Sequence, residues 1–72
     1  MGKMMSEIIF SIENSDEGGF VAKALGFPIF TEGETFQELK DNIIDAVKCH
    51  FDPKELPHVV RLHIVKDEVM AL

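Results

Sequence analysis

The sequence predicts an α+β domain: a three-stranded meander, one helix and a closing strand. Three features carry that reading. Apolar residues alternate with period two in short runs between Glu7 and Thr31. The spacing then switches to three and four between Phe36 and Phe51. A second alternating stretch follows two prolines near the C-terminus.

The first strand runs from Glu7 to Glu13, with Ile8, Phe10 and Ile12 alternating with Ile9, Ser11 and Glu13. Asn14-Ser15-Asp16-Glu17-Gly18-Gly19 then supplies residues that tolerate left-handed backbone, which predicts a hairpin turn. The second strand, Phe20 to Leu25, sets Phe20, Ala22 and Ala24 against Val21 and Lys23, and Gly26-Phe27-Pro28 breaks it. A short third strand spans Ile29 to Thr31. Thr35-Phe36-Gln37-Glu38 has the form of a capping box, in which the Thr35 hydroxyl accepts from the third helical amide and Glu38 reaches back. The spacing of Phe36, Leu39, Ile43, Val47 and Phe51 predicts a helix from Phe36 to about His50, with Lys40, Asp41, Asp45 and Lys48 on its polar face. Asp52-Pro53 and Leu56-Pro57 end it. The last strand runs from His58 to about Lys66. It is apolar on both faces: Val60, Leu62 and Ile64 on one, Val59 and Val65 on the other beside Arg61 and His63. The chain of 72 residues is expected to be a single domain over 1–72 with an ordered core of about 6–66.

Composition narrows the function. Thirteen acidic residues against seven basic ones give a net charge of −6, which argues against direct nucleic-acid binding, since affinity for phosphates comes mainly from Lys and Arg. No apolar run approaches the ~20 residues of a membrane span. A single cysteine, Cys49, forms no internal disulfide. His50, His58 and His63 lack metal-ligand spacing, and His58 and His63 fall on opposite faces of one strand. Cys49 and His50 point about 100° apart on a helix, at the end opposite to the one that activates thiolates. Glu13, Asp16 and Glu17 fit a polar turn better than a calcium loop. No catalytic, metal-binding or cofactor-binding residues are therefore assigned, and no cofactor is expected.

Taken together, Gly19-Phe20-Val21-Ala22, Gly26-Phe27-Pro28 and Thr31-Glu32-Gly33-Glu34-Thr35-Phe36-Gln37-Glu38-Leu39 make the chain resemble the HicB-like antitoxin family. The match to that family's G-[DE]-T-x-x-E core lies at Gly33-Glu34-Thr35 and Glu38. The resemblance implies a partial ribonuclease H-like β-β-β-α-β fold, with a mixed four-stranded sheet in the order 3-2-1-4 and the helix on one face. It also implies a non-catalytic role. The centre of the first strand carries Phe10 and Ser11, where true ribonuclease H enzymes place a carboxylate. HicB-like antitoxins bind and mask HicA, a small basic toxin that cleaves messenger RNA. Typical members add a C-terminal DNA-binding domain. Only Asp67–Leu72 follow the last strand here, so a stand-alone domain is implied.

The expectation is a cytoplasmic interaction module that binds a basic HicA-type toxin and forms a homo-oligomer, dimer or tetramer. The alternative is a stand-alone oligomeric domain with a ligand-sensing role and no toxin partner. One helix covers one sheet face, so the uncovered face is expected to seek a partner. The residues expected at that interface are Ile9, Val21, Val59 and Val65, or the alternate set on these strands if the helix covers the other face, followed by Phe27 and Phe30.

Overall fold

The computed structural model describes residues 7–65 and 70–72. Strand β1 (Glu7–Asn14) is the axis of a four-stranded sheet. It pairs antiparallel with β2 (Phe20–Ala24) on one side and parallel with β4 (Val59–Ile64) on the other. Strand β3 (Phe30–Gly33) pairs antiparallel outside β2, giving the order β3-β2-β1-β4. The α+β class, the mixed sheet and its order are as expected. Helix α1 spans Phe36–His50, and a single 3₁₀ turn over Pro53–Glu55 carries the chain across to β4.

Register decides which side chains make the core. Pairing Phe10 with Ala24 and Leu62, and Ile12 with Ala22, puts one alternate set under the helix. Ile8, Phe10 and Ile12 are buried from β1, Ala22 and Ala24 from β2, and Leu39, Ile43 and Val47 from α1. The two alanines let α1 approach the sheet closely, while Phe10 fills the centre. Burying an Ile, Leu or Phe side chain contributes roughly 1.5–3 kcal/mol, so this layer dominates the stability. Phe20 and Phe36 close one end of it edge to face, with centroids 5.6 Å apart.

The turns follow from their residues. Gly18 and Gly19 take φ of 93° and 84°, and the Ser15 amide donates to the Gly19 carbonyl at 3.0 Å. At the helix start, the Glu38 amide donates to the Thr35 hydroxyl at 3.0 Å, as a capping box requires. The Glu38 carboxylate reaches back to the Glu34 amide at 2.6 Å, one residue before the cap itself. The third strand lies slightly later than expected. Ile29 precedes it because the Ile29 amide turns tightly onto the Phe27 carbonyl, yet its own carbonyl still accepts from Ala24 and its side chain is buried. The last strand is shorter than expected, and its anticipated end at Lys66 lies outside the described residues, as does residue 6.

Candidate interaction surfaces

The helix fixes the polarity of the sheet. Because α1 lies over β3 and β2, the opposite face presents Ile9, Ser11 and Glu13 from β1, and Val21 and Lys23 from β2. Phe30 and Glu32 come from β3, and Val59, Arg61 and His63 from β4. Ile9, Val21 and Val59 therefore share the uncovered face, which settles the polarity that alternation leaves open. Val65 continues β4 on that side, its amide donating to the Ile12 carbonyl at 2.8 Å. Phe30, 60% exposed, joins them at the β3 edge.

These apolar residues do not form one patch. Val21 stands between Glu13 and Glu32, Ile9 beside Arg61, Val59 beside Glu7, and Phe30 beside Lys23. Glu7 and Arg61 form an ion pair across the β1–β4 ladder. The face is a chequered surface in which each apolar side chain has a charged cross-strand neighbour. Phe27 lies elsewhere. Its ring packs edge to face on Phe51 at 5.2 Å and near His50 at 6.1 Å, closing the C-terminal end of the core.

The two sheet edges differ. Gly33, at the β3 edge, runs so close to the first turn of α1 that an added Cβ would lie 2.5 Å from the Leu39 amide nitrogen. Asn42 donates its side-chain amide to the Glu32 carbonyl at 2.7 Å, so α1 occupies an outward acceptor of β3. The other edge, β4, has no such cover among the described residues. Between α1 and β4 lies an apolar groove of about 140 Å³ lined by Lys40, Ile43, Ile44, Val60 and Leu62. Ile44 at its rim is 47% exposed, and Ile64 on the same side of β4 is 57% exposed. Neither Ile44 nor Ile64 stands out in the sequence, because periodicity shows which way a side chain points but not how far the helix reaches.

A second groove, of about 350 Å³, lies where the hairpin turn, the end of β3 and the start of α1 meet. Glu17, Glu32, Glu34 and Glu38 line it, with Phe20 and Asn42. The sequence segment around it, residues 13–38, holds six carboxylates (Glu13, Asp16, Glu17, Glu32, Glu34, Glu38) and one basic residue, Lys23.

The fold does not bring the histidines together. His50 sits in the aromatic cluster at the helix end, His58 in the loop before β4, and His63 on the uncovered face. Cys49 is exposed. Among the described residues there is no group of three His, Cys, Asp or Glu side chains able to hold a metal, and no polar side chain is buried. No helix among them is long and apolar enough to cross a membrane.

The chain is 44% identical over 66 residues to a UPF0150 protein of Thermotoga maritima, covering 92% of this chain and 93% of the relative. The chain belongs to the UPF0150 family. A UPF0150 protein of Archaeoglobus fulgidus is 43% identical over 56 residues, covering 78% of this chain and 83% of its own length. No family profile and no solved structure matches the chain. The UPF0150 relationship thus extends over the meander, the helix and the crossover together. In this member the Gly33-Glu34-Thr35-x-x-Glu38 segment has a structural explanation: a glycine for close approach, a threonine cap and a glutamate that closes the turn.

Proposed function

We propose that this UPF0150 member is a non-catalytic, cytoplasmic interaction module of the HicB-like antitoxin type, which binds and masks a small basic HicA-type toxin. One observation carries the proposal: the carboxylate-lined groove at the hairpin–helix junction, on a chain of net charge −6. A basic partner is steered to such a surface, which raises encounter rates and disfavours wrong partners. The resemblance at Gly19–Ala22, Gly26–Pro28 and Gly33–Glu38 supplies the identity of the toxin class. Co-expression tests it: the chain should restore growth to cells producing a HicA-type toxin and form a complex with it that weakens as salt rises. Absence of both rescue and complex would refute the reading.

The same module is proposed to self-associate. The β4 edge, unpaired among the described residues, its exposed Ile64 and the apolar groove beside it favour this second element specifically.

A further inference from the structure

We infer that two copies of this chain pair antiparallel through β4, about a two-fold axis at Leu62, to make one continuous eight-stranded sheet. This rests on the self-association reading and supplies its geometry.

Hydrogen bonding sets which groups are free. The Val65 amide donates to Ile12, and β4 runs parallel to β1 with Ile64 beside Ile12. In a parallel ladder, inward and outward groups alternate along the strand. Val59, Arg61 and His63 therefore bond to β1, and Val60, Leu62 and Ile64 turn their amides and carbonyls to the open edge. Natural edges are blunted by prolines, lysines, bulges or a covering element. Residues 59–65 contain no proline and no lysine, and α1 covers the opposite edge.

The side chains of this segment are self-complementary. Val59-Val60-Arg61-Leu62-His63-Ile64-Val65 has nearly the same chemical order in both directions: two apolar residues, a basic type, Leu62, a basic type, two apolar residues. A two-fold axis at Leu62 sets Leu62 against its own copy, Val60 against Ile64 and Val59 against Val65. These pairs keep the helix-side residues together on one face. Three hydrogen-bonded pairs, or about six backbone hydrogen bonds, result. Shifting the axis to Arg61 or His63 would shorten the ladder and, at Arg61, oppose two guanidinium groups directly.

Charge selects a second copy over a basic partner. Residues 59–65 hold no carboxylate in a chain that has thirteen. Arg61, already paired with Glu7, and His63 offer a basic protein no carboxylate along this edge. The acidic groove is lined by the hairpin turn, the end of β3 and the start of α1, and by no residue of β4. Exposed charges farther than about 8 Å from the ladder are largely screened at physiological salt, so the net charge of −6 does not prevent pairing here.

Two measurements on the full chain test the inference. Sedimentation at roughly 100 µM should show a dimer. Because Arg61 faces His63 of the second copy, His63→Glu should tighten dissociation by about two- to thirty-fold and His63→Arg should weaken it comparably, both at an exposed position. In a Cys49→Ser background, Leu62→Cys should form an intermolecular disulfide on mild oxidation, since hydrogen-bonded partners lie about 5.5 Å apart at Cα. Ser11→Cys, on the central strand, should not. A monomer, opposite-sign His63 variants with equal dissociation constants, or cross-linking at Arg61→Cys in place of Leu62→Cys would overturn the inference. A dimer that fails to cross-link at Leu62 would overturn the edge pairing while leaving self-association standing, and growth rescue reads toxin binding separately.

Discussion

Replacing Gly33 with alanine tests how tightly β3 and α1 are joined. The backbone at Gly33 has no positive φ, so alanine adopts it without strain, and only the new methyl matters. That methyl would lie 2.5 Å from the Leu39 nitrogen and 2.8 Å from its Cα, against ordinary contact from 3.4 Å. Backbone atoms cannot rotate away as a side chain can. The first turn of α1 must therefore retreat by about 0.9 Å. Overpacking of this kind costs about 1–3 kcal/mol. The retreat also loosens the Thr35 cap and the Asn42 bond to Glu32, each worth about 1 kcal/mol. Alanine returns about 0.4–1 kcal/mol by restricting the unfolded chain. The net loss is about 2–4 kcal/mol, a large share of the roughly 4–11 kcal/mol expected for this length. Thermal unfolding followed by circular dichroism should show Tm falling by about 10 °C or more. Gly18→Ala is the control: its φ of 93° penalises alanine, but nothing lies within 4 Å, so only about 1–2 kcal/mol is lost. A Gly33→Ala protein melting within about 3 °C of the parent, or above Gly18→Ala, would refute the close-approach argument.

Thr35→Ala should cost about 1 kcal/mol and lower Tm by about 4–8 °C, because the Glu38 amide loses its acceptor. Phe10→Ala, at a fully buried position, should cost about 3–5 kcal/mol, and urea titration should show the cooperative transition weakened or lost. Glu17→Gln, Glu32→Gln and Glu34→Gln together should slow association with a basic toxin by about tenfold and flatten its salt dependence, measured by stopped flow, with Tm little changed. Glu38 is left intact in that variant because its carboxylate holds the Glu34 amide.

The helix was legible in the sequence, because two independent signals coincide there. The period of Leu39, Ile43 and Val47 gives its buried face, and Thr35 with Glu38 marks its start. The face of β1 that the helix covers was less so. Ile8 and Ile9 are equally apolar, and β4 is apolar on both sides, so only the placement of α1 separates core from surface. The expected interface at Ile9, Val21, Val59 and Val65 rested on within-strand alternation. Cross-strand register, which puts Glu13 and Glu32 against Val21, is a tertiary property that no single strand reveals. The acidic groove was legible only as scattered glutamates. Joining Glu17 to Glu34 and Glu38 requires the hairpin, the β3 end and the helix start to converge. The groove beside β4 depends on α1 being offset toward β3, which no residue pattern encodes.

The offset of α1 gives the two edges separate uses, and this has a stoichiometric consequence. Covering β3 spends the helix on one side of the sheet, and the carboxylates gather at the end of that same strand. Among the described residues no helix covers the β4 edge, and residues 59–65 hold no carboxylate. If β4 pairs with β4, the two β3 strands, whose ends line the acidic grooves, lie at the outer edges of an eight-stranded sheet, about seven strand spacings or roughly 33 Å apart. A small basic protein bound at one groove would then neither touch nor shield the other. Two partners should bind per dimer with equal affinity, and light scattering of the saturated complex should give a 2:2 assembly. A basic partner that dissociates the dimer to a 1:1 complex would show instead that both bind the same edge, because no long-range repulsion between the grooves survives screening at that distance.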